Sequence, residues 1–212
     1  YPKGKIYKGY GPFKKSFERD GNLSIRRLPL IPRGGGSKAR LVINYLSYFV
    51  STLFYTLFLI FFKKKYEKVL IHHTSPFFIA ISAVLYKKVK RSDALLWDLD
   101  LWPQTLEAVK IIKTDSMLKL IEKLVSKIYK NFDIVLIASS SFKKIVLQRV
   151  THKNVFYFPN WAENILEKNK IDVGFKTNFD AEAIKIMYTG NLGTAQGFGT
   201  LCKIINQNYK TN

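Results

Sequence analysis

Two aspartates stand two residues apart in the run Trp97-Asp98-Leu99-Asp100-Leu101-Trp102-Pro103. On an extended chain that spacing puts both carboxylates on one face, where they can share a cation or a proton. Two enzyme chemistries follow: the pair holds a metal bound to a nucleotide diphosphate, or Asp100 alone reaches into a crevice and orients a hydroxyl. Solvated or helix-capping acids are the plain alternative. His72 and His73 are adjacent, so on a strand they point opposite ways and make no two-histidine metal site, although one can donate to a phosphate. The strongest local pattern is further on. An apolar run from Ala183 to Tyr188 is followed by Gly190, Asn191, Gly193 and Gly197, and then by an apolar helical start at Phe198. Strand, glycine turn and helix start bring backbone N–H groups and a positive helix end around a phosphate. The spacing is not the dinucleotide fingerprint, and a turn without a ligand is the competing explanation.

The elements must bring these groups together. From Lys68 onward the pattern of short apolar run, polar turn and amphipathic helix repeats, which is the grammar of an α/β fold. Residues 69–71 predict a strand, with Thr74 or Ser75 capping a following helix whose first position is Pro76 and which runs to about Lys87. Residues 94–99 predict the next strand, ended by Asp100 and Pro103. Met117, Leu118, Ile121, Leu124, Val125 and Ile128 mark the buried face of a helix, with Lys119, Glu122, Lys123 and Lys127 outside. Residues 133–138 are a strand, Ser139 to Ser141 supply caps for a helix to Val150, and 155–158 are another strand. His72 to Ser75, Asp98 with Asp100, Ser139 to Ser141, Asn160 and the glycine turn thus all fall just past strand ends. In open parallel sheets the ligand crevice lies outside those carboxyl ends.

The 212 residues, 47% of them hydrophobic, suffice for a large core. Lys and Arg number 35 against 15 acids, a formal charge of +20, which calls for an anionic partner: nucleic acid, an acidic membrane face or a phosphorylated substrate. Cys202 is alone, which excludes an internal disulfide framework and multi-cysteine zinc modules and suits a reducing compartment. Residues 41–62 carry no charge and are long enough to span a bilayer. Asn44, Ser47, Ser51, Tyr55 and Thr56 recur along them at helical spacing, and Lys38, Arg40 and Lys63 to Lys65 flank them. A span or a helix lying in an anionic interface both fit. Ahead of it, residues 1–15 read as an irregular basic aromatic loop, able to follow a nucleic-acid strand, to contact substrate or simply to be solvated. Ile25 and residues 28–31 predict a strand, and 163–180 a linker.

In order along the chain, Tyr1-Pro2-Lys3-Gly4-Lys5-Ile6-Tyr7, Asn44-Tyr45-Leu46-Ser47, Thr74-Ser75-Pro76, Asp100-Leu101-Trp102-Pro103, Phe158-Pro159-Asn160-Trp161-Ala162-Glu163, Gly190-Asn191-Leu192-Gly193 and Ala195-Gln196-Gly197-Phe198 resemble the motifs of the family 4 retaining glycosyltransferases. These enzymes have two Rossmann-like (GT-B) domains, and the likeness is to members that transfer acetamido-fucose (L-fucosamine) units in capsule and O-antigen synthesis. The resemblance implies an α/β, doubly wound parallel sheet in residues 1–158, a linker at 159–182, and the first strand, glycine turn and helix of a nucleotide-sugar domain in 183–212. It implies transfer, with retention, of a UDP-linked amino sugar to a lipid-diphosphate-linked glycan at the inner face of the plasma membrane. At the matching positions Gly190, Asn191 and Gly193 meet the donor diphosphate. Asp100 faces the acceptor or reacting sugar as the catalytic residue, and His73, Thr74, Ser75, Trp102 and Asn160 line the acceptor side of the cleft. No cofactor, no metal and no nucleic acid is implied; donor, acceptor and an anionic membrane surface are the partners. Gln104 stands where relatives often show Glu, and Gly199 where Asp often follows Gly-Phe. The family's first strand would precede Tyr1 and its donor-site glutamates would follow Asn212, so the chain is expected to be a piece of a longer enzyme, inactive alone. The competing expectations are a non-enzymatic basic α/β module on membrane or nucleic acid, and a single-pass membrane protein held by residues 41–62.

Overall fold

The computed structural model describes residues 6–11, 14–35, 37–108, 112, 114–151, 153–161, 187–190 and 197–209. Its centre is a four-stranded parallel sheet in the order β3 (Lys68–His73), β4 (Asp93–Asp98), β5 (Ile134–Ile137) and β6 (Val155–Tyr157). Between the strands run a 3-10 turn (Phe77–Ile79) with α2 (Ala80–Lys90), then α3 (Gln104–Ala108) and α4 (Asp115–Tyr129), then a second 3-10 turn (Ser140–Phe142) with α5 (Lys143–Arg149). The fold is therefore the α/β, Rossmann-like arrangement that the repeating pattern predicts, with a parallel sheet flanked by helices.

Register and strand alternation divide the sheet into two faces. Ile71, Leu96, Val135 and Val155 form one cross-strand row, and His73, Asp98, Ile137 and Tyr157 the next. The first row faces Phe77, Ala83, Val125, Ile128, Tyr129 and Val146 from the helices, and together they make the core. On the other face His72, Trp97, Leu136 and Phe156 form a row in which only Trp97 is buried. It is covered by the chain leaving β6: Phe158 meets its ring edge-on and Trp161 stacks on it at 5.7 Å. In α4, Val125 and Ile128 are buried as predicted, but Met117 and Leu124 are exposed, because the helix meets its neighbours over a narrower stripe than the six apolar positions mark.

Before the sheet, Phe17–Asp20 (β1) and Leu23–Arg26 (β2) make an antiparallel hairpin closed by Gly21 and Asn22, with Gly21 at a φ of +53°. The sequence reading places a strand near Ile25 and a second part of it at 28–31. The hairpin replaces the first, through an Asp-Gly-Asn turn signal that a basic loop hides. The second is corrected outright. Pro29 and Pro32 withhold the N–H groups a ladder needs, and the segment instead lies along α1 (Lys38–Phe62). Asn44 Nδ2 donates to the Ile31 carbonyl (2.6 Å), the Ile31 N–H donates to Ser47 Oγ (2.9 Å), and Ser51 Oγ donates to the Pro29 carbonyl (2.5 Å). The polar stripe of α1 is thus the dock for a backbone.

Ser37 begins α1, its hydroxyl accepting from the Arg40 N–H. The helix packs on α2 and the first 3-10 turn, and only Thr56 and Ile60 of its residues are buried. Its outer face is open and aromatic: Phe54, Phe61 and Phe62 are 68, 74 and 73% exposed. By length and composition it can cross a membrane. The strand expected at 183–188 falls mostly outside the described residues, as do 162–182 of the expected linker. The helix expected at Phe198 is α6 (Phe198–Tyr209).

Replacing Asn44 and Ser51 together by alanine removes two of the three bonds that hold residues 29–31, each worth about 0.5–1.5 kcal/mol. The Ile31 amide then exchanges with solvent at least several-fold faster while amides of β4 keep their protection. Unchanged exchange at Ile31 contradicts this docking.

Candidate functional site

All four strands end on the same side, so the polar residues that follow them share one rim. The ladder continues for one bond past β4, β5 and β6: Leu99 N–H to the His73 carbonyl, Ala138 N–H to the Asp98 carbonyl and Phe158 N–H to the Ile137 carbonyl. These bonds put residues 74–75 and 99–100 side by side. Both loops turn at a cis proline, Ser75-Pro76 and Trp102-Pro103.

At this edge Asp100 is held by two hydroxyls. Ser75 Oγ donates to its Oδ2 and Thr105 Oγ1 to its Oδ1, each at 2.6 Å. Ser75 Oγ in turn accepts the Trp102 indole N–H at 3.2 Å. Asp100 is half-buried, so a fixed carboxylate faces the rim with access kept. A carboxylate accepts at about four lone-pair positions, and two remain for a ligand hydroxyl.

Asp98 lies beneath, fully buried, and its partners differ. Its Oδ1 pairs with His73 Nδ1 at 2.6 Å, and its Oδ2 accepts from the Tyr129 hydroxyl of α4. The expectation that both carboxylates share a face is corrected, because β4 stops at Asp98 and strand alternation does not reach Asp100. All four oxygens are directed to different partners, so a cation shared by the pair has no geometric support. Among the described residues no three His, Cys, Asp or Glu side chains cluster as metal ligands. His73 is likewise fully buried rather than lining a cleft; its ring packs edge-on against Phe77 and Trp102. Burial, then the charge of Asp98, hold the Tyr129 hydroxyl well above the usual tyrosine range, so it remains the donor to Asp98.

The remaining expected residues scatter along the rim. Ser75 does not cap a helix; Pro76 occupies the N-cap position, and Ser75 is engaged with Asp100. Ser139 is an N-cap by position without a side-chain bond to the backbone, and its hydroxyl meets that of Ser141 at 2.8 Å. Thr74 and Asn160 are exposed, Asn160 past β6 and so two strands from Asp100. Trp102 is buried, its nitrogen turned to Ser75. At Gly190 the φ is +155°, and a Cβ there would stand 2.8 Å from the Tyr188 hydroxyl, the tip of an exposed side chain. Asn191 and Gly193 lie outside the described residues. Gln104 is turned away from the rim and accepts from Arg149 Nη2, while Glu122 pairs with the same buried guanidinium.

Other residues at the site carry no motif strong enough to mark them in advance. Arg33, Asn44, Tyr45, Tyr48 and Leu30 wall a cavity of about 160 Å³ against Ser75 and Pro76. The Arg33 guanidinium lies over the Tyr45 ring at 5.5 Å. This cavity shares Leu30 and Tyr48 with a wider cleft of about 510 Å³ walled by Tyr7, Tyr10, Arg26 and Arg27. The only advance signs are the basic glycine turn holding Arg33 and the Asn44-Tyr45-Leu46-Ser47 motif.

Tyr129→Phe leaves Asp98 with one donor and costs about 1–3 kcal/mol at neutral pH. The raised pKa in the folded state means the unfolded chain loses this proton first. The stability tied to it is whole below the ordinary value of about 10 and declines as pH rises through the folded-state value. Denaturant titrations at several alkaline pH values should therefore show a shallower alkaline loss in the variant; equal loss in both contradicts the network.

No protein-family model, no curated protein and no solved structure matches this chain.

Proposed function

We propose that the chain forms the acceptor side of a retaining glycosyltransferase that moves a sugar from a nucleotide-sugar donor to a lipid-diphosphate-linked glycan in surface polysaccharide synthesis. The observation that carries the reading is Asp100, fixed by Ser75 and Thr105 at the carboxyl edge of a parallel sheet, where ligands of such folds bind. The motif likeness supplies the reaction class. In this role Asp100 accepts a hydrogen bond from an acceptor hydroxyl or faces the positive charge that develops on the reacting sugar. Ser75, Thr105 and Trp102 position it. By the motif likeness the donor diphosphate falls to the glycine-rich stretch that starts at Gly190, and the helix Phe198–Tyr209 that follows has an N-terminus suited to an anion. Such chemistry uses the nucleotide sugar as substrate and asks for no resident cofactor.

Membrane seating is part of the proposal. Phe54, Phe58, Phe61 and Phe62 on the outer face of α1 run into Lys63, Lys64 and Lys65, the arrangement of a helix lying in an anionic interface. The +20 charge by itself also suits a non-enzymatic module on membrane or nucleic acid.

The whole reading frame that contains this chain, given a set of UDP-sugars and a polyprenyl-diphosphate-linked acceptor, should transfer sugar with retained configuration. Asp100→Asn should lower kcat by about 10²–10⁴-fold with a smaller change in KM. Ser75→Ala, which loosens the carboxylate without removing it, should cost on the order of tenfold. Absence of both transfer and donor hydrolysis with every donor, together with salt-dependent binding to nucleic acid, would favour the binding module.

A further inference from the structure

An apolar groove opens on the other side of Tyr45 from the Arg33 cavity. Its volume is about 180 Å³, and among the described residues no polar atom is exposed inside it. Leu46 and Phe49 of α1, Phe78, Trp102, Leu106 of α3 and Ile121 of α4 form its walls. Interiors of proteins are packed close to crystalline density, so an open, carbon-lined space among four elements leaves their apolar side chains short of packing partners. Its mouth is marked by the exposed Val42 and Leu46. On α4, the exposed Met117 and Leu124 stand about one turn either side of Ile121.

The two cavities differ in kind and touch. Tyr45 is a wall of both, Arg33 lies over its ring, and Trp102 of the groove donates to Ser75 of the polar cavity. A ligand complementary to the whole has a flexible apolar chain at one end and a compact anionic group at the other. The exposed guanidinium of Arg33, with the second N–H of the Asn44 amide beside it, matches a phosphate by charge, while the Ser75 hydroxyl stays committed to Asp100. A water-soluble nucleotide sugar has nothing to place in the groove.

We infer that this groove and the adjoining Arg33 cavity form a binding site for a single-chain lipid phosphate, the chain in the groove and the phosphate at Arg33. Naming that lipid as the sugar acceptor rests on the glycosyltransferase reading; the site itself does not. Ser75 walls the phosphate cavity and also holds Asp100, so a lipid bound this way presents its head group next to the carboxylate.

Calorimetric titration of the 212-residue chain with farnesyl phosphate, kept below its aggregation concentration, tests the site without any donor or sugar transfer. The expected result is saturable binding of one molecule per chain. Farnesol and inorganic phosphate, each half of the ligand, bind at least tenfold more weakly. Leu46→Trp at the mouth and Arg33→Ala at the exposed phosphate end each weaken binding at least tenfold, whereas Lys88→Ala, on the exposed last turn of α2, leaves it unchanged. Arg33→Ala keeps the test valid should the groove variant disturb folding. Several molecules bound per chain, or equal binding in both variants, means adsorption to the outer face of α1 and overturns the site. A dimer in sedimentation equilibrium that Leu46→Trp dissociates and farnesyl phosphate does not affect means a second copy fills the groove, and also overturns it. Binding without sugar transfer in the whole reading frame leaves the lipid site and removes the acceptor role. Transfer to a chain-free glycoside without farnesyl phosphate binding does the reverse.

Discussion

Asp98 is a carboxylate with no access to water, placed where β3, β4 and α4 meet, and the rest of the site is arranged above it. Burying such a charge costs several kcal/mol unless donors replace the lost water. His73 Nδ1 and the Tyr129 hydroxyl supply that replacement from two different elements. Removing either would leave a charge in a closed aromatic layer of Phe77, Trp102 and Tyr129. The ends of β3 and β4 are thereby held in register, and it is this register that sets Ser75 beside Asp100 one step further out. The buried aspartate fixes geometry, and the half-buried one is left open to the rim.

The same division runs through the helices. Arg149, fully enclosed, gathers Glu122 of α4 and Gln104 of α3 and lies over the Tyr129 ring, so the loop after Asp100 is tied to the core from its far end. On the opposite flank α1 presents three surfaces with three uses. One packs on α2, one holds the backbone of residues 29–31 by hydrogen bonds, and one remains apolar and open. A helix this apolar is unusual at a protein surface. The lysines at its end and the groove beneath its first half give that surface a physical sense if the neighbouring phase is lipid.

Much of this was legible in residue order, because the strands of a parallel sheet are short apolar runs and their ends are marked by polar turns. Residues 68–73, 93–98 and 134–137 carry that signature, and it located the rim on which Ser75 and Asp100 meet. What escaped is what depends on where a strand stops or on which side of a helix a neighbour sits. Asp98 and Asp100 look like a pair only while the chain stays extended, and it turns at Leu99. Ser75 has the composition of a cap, yet a carboxylate brought by the neighbouring strand outcompetes the helix end. The polar stripe on α1 was visible, but its partner, an extended segment with two prolines, could be known only from the fold. Arg33 and Tyr45 had no spacing to announce them, being brought to Ser75 by that same docking. The glycine turn was the clearest local motif, and it lies largely beyond the described residues.

In the proposed reaction Asp100 is the group that meets the acceptor. A crystal structure of the protein with a lipid-diphosphate-linked glycan bound tests this most directly. It should place an acceptor hydroxyl about 2.6–3.2 Å from an Asp100 carboxylate oxygen, with Ser75 and Thr105 still donating to the same group. A glycan bound away from the β3 and β4 edge, with Asp100 facing only its two hydroxyl partners, would contradict it.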